Sequence, residues 1–464
     1  MSLKIIPNWI NGCEALPLGS SYLDKFDPHT GMLQSRLADS GVDDVKLAIS
    51  AAKASYSKWS KLSPVKRGQV LNAIANELKN NQKKLSDCIR VETGKPPQDA
   101  EGEMRASILQ AEFFAGEGMR LYGRTLTSFL EGKSTNLIRV PCGVVASIVP
   151  ANTPMANICW KIFPALICGN TVVLKASEDA PELALIFANL TKAAGLPDGV
   201  LNVIQGSGAV AGEALVRSEE VDVISFTGSS FVGKRIAEIS SSRLIKVSLE
   251  LGGKNSFIVC NDAEIEKAAQ WAMLSAFSNA GQRCAAASRI IVFNEVYEAF
   301  KKKLIEKTSQ LKLGVNSDCQ VGPVINSKQY LRIQKMLNQV EDDGGITIFG
   351  DQQKPIEEHL SGGYYIRPTI IEGLDVFAEL SQEEIFGPVT CLYRVSGVEE
   401  ALKVANASKY GLTAAVHTRS INFAAQLSQE IQAGVVNINL GTYGSEPHVP
   451  FGGIRESGNG TREP

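Results

Sequence analysis

The stretch Thr171-Val172-Val173-Leu174-Lys175-Ala176-Ser177-Glu178-Asp179-Ala180-Pro181-Glu182-Leu183-Ala184-Leu185-Ile186-Phe187-Ala188 decides the fold. It opens on a short, continuous apolar run, crosses a polar turn and enters a helix-length segment that begins at proline. An apolar run without alternation predicts a strand buried on both faces, and proline suits the first turn of a helix. The same module recurs along the chain. Strands are predicted at 144–149, 171–174, 201–204, 222–226 and 246–249, with helices at 181–194 and 231–239 between them. Strand–helix alternation with such strands predicts a parallel, doubly wound α/β sheet covered on both faces. After Gly253 the alternation resumes. Strands are predicted at 256–259, 289–292, 389–393 and 435–438, and helices at 265–277 and 296–311, giving a second α/β unit. Upstream, residues 43–120 read as helices, with apolar spacing clear in Val70-Leu71-Asn72-Ala73-Ile74-Ala75-Asn76-Glu77-Leu78. Residues 121–140 differ. Thr125, Thr127, Ser128, Thr135 and Asn136 interrupt them and no helical stripe runs through.

Composition narrows the function classes. The chain has 464 residues, enough for two or three domains, and its 44% apolar and 21% charged content is ordinary for a soluble globular protein. A net charge of −2 gives no electrostatic reason to expect nucleic acid or an anionic membrane as partner. No apolar stretch is long enough to span a bilayer, and the N-terminal apolar run is too short for a signal peptide. Nine scattered cysteines, an odd number, argue against a disulfide framework and for a reducing, cytoplasmic setting. The four histidines form no His-Glu-x-x-His and no Cys/His cluster, so no metal site is expected.

Two runs carry chemistry. Gly281-Gln282-Arg283-Cys284-Ala285-Ala286-Ala287-Ser288-Arg289 presents a thiol, and Leu249-Glu250-Leu251-Gly252-Gly253-Lys254-Asn255 presents a carboxylate. An arbitrary cysteine is most often a buried, inert one, and a glutamate at a strand end most often caps a turn. Together they permit a covalent oxidation. A thiol adds to a carbonyl carbon, the adduct releases hydride, and a carboxylate activates water to free the acid. A third run, Gly206-Ser207-Gly208-Ala209-Val210-Ala211-Gly212, follows a strand and opens a helix like a dinucleotide fingerprint, but its last glycine is one position late.

The thiol and carboxylate runs together resemble the signatures of the NAD(P)-dependent aldehyde dehydrogenase superfamily, and the resemblance spans nearly the whole chain. It implies two Rossmann-like α/β domains plus a small β excursion that joins a neighbouring subunit. Cys284 is then the nucleophile, Glu250 the base for thioester hydrolysis and Asn152 the oxyanion donor. Ala151 and Thr153 flank that asparagine where an aromatic pair is commoner. Lys161 matches a lysine near the active site. The cofactor implied is NAD, with NADP a poorer substitute, because Glu178 beside Lys175 would repel a 2′-phosphate. Gly206, Gly228, Ser229 and Leu251 are expected on the cofactor, with Glu384 on the nicotinamide ribose and Phe386 near the ring. Arg105, Trp160, Arg283 and Phe451 fall where the family lines its substrate tunnel. The two arginines admit a small anionic aldehyde; Trp160 admits an apolar one.

The resemblance assigns residues 1–120 and 141–252 to cofactor binding, 253–453 to catalysis, and 121–140 with 454–464 to oligomerisation as a homodimer or homotetramer. Relatives carry a further strand after this point, which a chain ending at Pro464 is expected to lack. Two alternatives stay open: a dehydrogenase that passes the acyl group to coenzyme A, which Glu250 argues against, and a catalytically silent cofactor-binding relative. A thiol esterase without redox chemistry would leave the cofactor runs unexplained.

Overall fold

The computed structural model describes residues 3–350, 352 and 356–460. Among the described residues are two seven-stranded sheets, a three-stranded sheet and a two-stranded ribbon. In the first large sheet, Lys246–Glu250, Val223–Thr227, Val144–Ile148, Thr171–Lys175 and Leu201–Ile204 run parallel in that order. Asn8–Ile10 and Cys13–Ala15 extend it antiparallel. The register sets Phe226 against Leu249 and Ile148, and Ile148 against Lys175, so Val149, Lys175, Thr227 and Glu250 leave the sheet at one edge. Ligands of doubly wound sheets bind outside such carboxyl ends.

The second large sheet runs Ile346–Phe349, Thr369–Glu372, Val389–Val395, Ala287–Phe293, Asn255–Val259, Thr413–His417, Val435–Ile438. Only Ile346–Phe349 is antiparallel. The inner strands Ala287–Phe293, Asn255–Val259 and Thr413–His417 are buried along their whole length. That is why the first two read as apolar runs over 290–293 and 257–259. The chain therefore has the two Rossmann-like α/β halves that the sequence predicts.

Residues 43–120 form the helices Val42–Ser60, Pro64–Asn80, Gln82–Thr93 and Pro97–Gly116. They pack under the first sheet. Trp59 is fully buried and donates its indole N–H to the Leu166 carbonyl at 3.1 Å. The sequence offered no reading of the first forty residues as strands. There Lys4–Ile6, Leu33–Ala38 and Tyr22–Phe26 pair into the three-stranded sheet. The irregular stretch 121–140 holds the antiparallel ribbon Arg124–Thr127 with Ser134–Leu137. It stands away from the core, with Phe129 97% and Ile138 78% exposed. Of the expected oligomerisation segment 454–464, residues 461–464 lie outside the described residues. The rest packs onto the end of strand Lys246–Glu250. Leu251 N–H donates to the Ser457 carbonyl at 3.0 Å, and Gly458 bridges Glu250.

Candidate active site

The site grows from a turn of backbone that most residues avoid. Helix Ile265–Phe277 ends, and Asn279, Ala280 and Gly281 then take φ values of 53°, 52° and 67°. Three left-handed residues in a row cost energy, roughly 1–2 kcal/mol for each non-glycine, and persist only where neighbours fix them. Here they do. Asn279 N–H donates to Asp99 Oδ2 at 2.9 Å, and its side chain donates to the Asn152 carbonyl at 3.0 Å. The Gln282 amide accepts from Ile325 N–H at 2.8 Å and donates to the Asn279 and Pro323 carbonyls, both at 3.3 Å. Beyond the turn, Asn255 Nδ2 donates to the carbonyls of Cys284 (2.7 Å) and Ala286 (2.9 Å), while its oxygen accepts from Thr413 N–H at 3.0 Å. Only glycine serves at 281, because an added Cβ would collide with the Gly387 carbonyl.

Cys284 sits partly exposed at the exit of this turn, on a cleft of about 670 Å³. Asn152, Thr153, Asn157, Thr227, Ser229, Leu251, Gly252, Glu384 and Phe386 share the cleft. Burial, and then the charges of Glu384 and Glu250, push the Cys284 thiol up to about 12, so the resting sulfur keeps its proton. A base would have to take that proton before the sulfur could act as a nucleophile. Glu250 is 5% exposed and ends its strand two residues before Gly252, close enough for its charge to be felt at the sulfur. The side-chain Oδ1 of Asn152 is buried without a hydrogen-bond partner, so the amide is not consumed by the fold.

The opposite wall is made by the segment 227–231 and by Glu384. Ser229 caps helix Ser230–Ser241 by accepting from Val232 N–H at 3.4 Å. First-turn amides of a helix have no partner within it and suit an anion such as a pyrophosphate. The Thr227 hydroxyl is buried and unpartnered. Across the cleft, Glu384 accepts from Gly253 N–H at 3.1 Å. Burial pushes its carboxyl up to about 7, against the pull of that N–H and of the Arg332 charge. Any side chain at Gly252 would meet the Glu384 carboxylate. Arg332, on helix Ser327–Asn338, holds the same segment by donating to the carbonyls of Glu384 (3.0 Å) and Ile385. Next in line, Phe386 is left-handed at φ 55°. These donors, the free hydroxyl and the buried carboxylate fit a dinucleotide with a ribose.

The residues singled out in the sequence divide into two groups. The fold brings Cys284, Asn152, Gly228, Ser229, Leu251, Glu384 and Phe386 to the cleft and sets Glu250 against it. Lys175 and Glu178 pair at 2.8 Å outside the residues lining it, at the same sheet edge. Burial opposes ionisation of Glu178, yet Lys175 and the Gly208 N–H hold its carboxyl below the ordinary range. Gly206 is not brought to the cleft. It is a buried turn at φ 116° where an added Cβ would meet the Ser40 backbone, so its glycine serves chain packing. Lys161 is nearly buried and donates to the Ser225 hydroxyl at 2.9 Å, away from the cleft lining. Arg105 is the clear correction. Its helix buries the Met104, Ser107, Ile108 and Ala111 face, which leaves Arg105 61% exposed and 3.8 Å from Glu101, one turn back. It does not line the cleft. Trp160 and Phe451 meet edge to face at 6.2 Å. Arg283 lies 3.6 Å from Asp99 and over the Tyr443 ring. Sequence reasoning missed Gln329, Arg332, Lys409, Tyr410 and Glu456 on the cleft and Asp99 behind it. A charged residue on a helix reads as a solvated one, and the folding that brings these together leaves no local signal.

Two α/β halves thus bring a cysteine, a carboxamide and buried carboxylates together around one cleft. Comparison with known proteins gives the family: residues 18–464 match the aldehyde dehydrogenase family, to which the chain belongs. It is similar to the α-ketoglutaric semialdehyde dehydrogenase of Bacillus subtilis (strain 168), at 38% identity over 92% of this chain and 87% of that one. It is similar to the D-glyceraldehyde dehydrogenase (NADP⁺) of Thermoplasma acidophilum, at 32% identity over 99% of this chain and 93% of that one. Among solved structures, PnpE from Pseudomonas sp. WBC-3 superposes with a TM-score of 0.96 at 34% identity, over 99% of this chain and 94% of that one. PnpE has also been solved in complex with nicotinamide adenine dinucleotide.

Proposed function

We propose that the protein oxidises an aldehyde to its carboxylic acid, with NAD as hydride acceptor and water as acyl acceptor. The observation that carries this reading is the convergence of Cys284, Asn152 and Glu384 on one cleft with Glu250 at its edge. Glu250 draws the thiol proton through water, and Cys284 Sγ adds to the carbonyl carbon. Asn152 Nδ2 and the Cys284 N–H hold the oxyanion. NAD held in this cleft would supply the hydride acceptor, and the acyl group would then stay on Cys284 as a thioester. Once Glu250 has given the thiol's proton up to solvent, it deprotonates a water, which attacks the thioester and displaces the Cys284 sulfur. The acid departs and the thiol is restored.

The Glu178 carboxylate, fixed by Lys175 and Gly208, favours a free ribose 2′-hydroxyl over a 2′-phosphate, since two anions at hydrogen-bond distance repel. NAD is thus the preferred cofactor. Residues 1–120 with 141–252 form the cofactor half and 253–453 the catalytic half. The exposed apolar ribbon within 121–140 supports a homo-oligomer in the cytoplasm. The test is direct. Purified protein, NAD and a panel of neutral and anionic aldehydes are followed by NADH absorbance, with and without coenzyme A. NADH formed without coenzyme A, and lost on dropping the aldehyde, supports the reading. An absolute need for coenzyme A would make the protein an acylating dehydrogenase, and no NADH with any aldehyde would make it a silent relative.

A further inference from the structure

Two carboxylates one turn apart on helix Pro97–Gly116, Asp99 and Glu103, take no part in the chemistry above. Asp99 Oδ2 accepts from Asn279 N–H at 2.9 Å, in the turn that presents Cys284. Glu103 Oε1 accepts from Met155 N–H at 2.8 Å and from Ala156 N–H at 3.3 Å, at the start of helix Pro154–Ile167. Its other oxygen pairs with Lys95 Nζ, and both side chains of that pair are buried. Helix Pro154–Ile167 has no cap of its own. The Thr153 side chain makes no bond to the first turn, and Pro154 has no N–H to offer. Asn157 N–H is taken by the Thr153 carbonyl at 2.9 Å. The first-turn N–H groups that remain are the two that Glu103 receives, and a carboxylate suits the positive end of a helix.

Only Thr153 and Pro154 separate these clamped amides from Asn152. Proline fixes its own φ and restricts the residue before it, so the start of the helix and Asn152 move as one piece. From the other side, Asn279 Nδ2 holds the Asn152 carbonyl at 3.0 Å. One helix therefore grips the nucleophile turn through Asp99 and the asparagine segment through Glu103. Resting on the aldehyde-oxidising reading, we propose that Glu103 is a positioning residue: by clamping the Met155 and Ala156 amides it fixes the Asn152 carboxamide relative to Cys284. Glu103 touches no substrate and acts only through Asn152. Lys95 serves as its counter-ion, without which a buried carboxylate would be costly. The effect belongs to the transition state, where the oxyanion needs its donor in place and a displacement of about 1 Å costs up to about a hundredfold.

The experiment follows NADH formation with NAD and the aldehyde that the wild-type protein oxidises best, with rates expressed per folded protein. Glu103→Asp keeps the charge for Lys95 and shortens the reach by one methylene. Its kcat and kcat/KM should fall together by at least about fivefold, with NAD affinity by calorimetry within about twofold of wild type. Glu103→Gln combined with Lys95→Met removes both charges but keeps the length and an acceptor oxygen, and should stay within about threefold of wild type. In an Asn152→Ala background, Glu103→Asp should cost less than about twofold further, because the donor it positions is already gone. A smaller loss in Glu103→Asp alone overturns the proposal. So does an equal loss in the Asn152→Ala background, which would leave Glu103 as a support of the fold, and so does a Gln–Met pair that falls as far as Glu103→Asp. If Glu103→Asp does not fold, Glu103→Met with Lys95→Met takes its place under the same expectations, since it removes the clamp and leaves no lone charge. Absence of aldehyde-dependent NADH in the wild-type protein would instead remove the aldehyde reading.

Discussion

Two turns face each other across the cleft. The turn 278–284 holds three consecutive left-handed residues; the side chains of Asp99 and Asn255 from outside it and of Gln282 within it bond its backbone, and the Asn279 side chain ties it to the Asn152 carbonyl. The turn 227–231 is capped by one serine and keeps a buried, unpartnered Thr227 hydroxyl beside first-turn amides. The first side uses most of its polar groups to fix its own backbone; the second keeps a hydroxyl and first-turn amides available. A nucleophile must be held in one geometry, and a cofactor must displace something that costs little to displace.

The largest test of that division is Cys284→Ala. It should lower NADH formation by about ten-thousandfold or more and leave NAD affinity, measured by calorimetry, within about threefold of wild type. Loss of cofactor binding in this variant would show that the two walls are one unit. Gly281→Ala is the next. It places a β-carbon against the Gly387 carbonyl in left-handed backbone, with an expected cost of about 2–5 kcal/mol. Denaturant unfolding measures it, and a loss below 1 kcal/mol would mean the turn is looser than its hydrogen bonds imply.

A pH series follows. Glu384 is pushed up to about 7, so its carboxyl is neutral below that pH and accepts the ribose hydroxyls poorly. NAD affinity should rise with pH up to about 7 and then level, falling on the acid side by up to about tenfold per pH unit. Glu384→Gln should flatten the profile. The cofactor-free protein should show the opposite trend in stability. The native state keeps a proton that the unfolded chain releases near 4.5, so this group lowers stability as pH rises from about 4.5 to 7, and Glu92 adds the same sign. The smallest effect belongs to Thr227→Val. Removing a hydroxyl that has no partner should change stability by less than about 1 kcal/mol and weaken NAD by a few-fold. A large stability loss there would break the comparison.

How much of this was legible depends on how each feature is encoded. Elements with a regular apolar pattern are written locally: the strands 201–204 and 435–438 and the helix 265–277 match the structure residue for residue. Thr413–His417 is a central strand as well, but Thr-Ala-Ala-Val-His lacks the branched apolar run that marks one. The N-terminal strands are short, and Lys4–Ile6 hides only its last residue. At the site, Cys284, Glu250 and Asn152 sit in distinctive runs. Arg105 and Arg283 looked equivalent in sequence. What separates them is the face of a helix and the presence of Asp99, and both are properties of packing.

The order of the strands has a consequence for how the protein comes into being on the ribosome. The parallel strands of the first sheet are complete once Glu250 has been made. The surroundings of Cys284 are not. Asn255, which holds the Cys284 and Ala286 carbonyls, waits for Thr413; the Ala285 carbonyl waits for the Thr442 hydroxyl at 2.6 Å; and the end of the Glu250 strand waits for Ser457 and Gly458. A growing chain can therefore build most of its cofactor half while the thiol at Cys284 is still unfixed. The contacts around Cys284 are complete only when the segments at 442 and 457–458 have been made, so a growing chain carries the cysteine before the contacts that fix its surroundings.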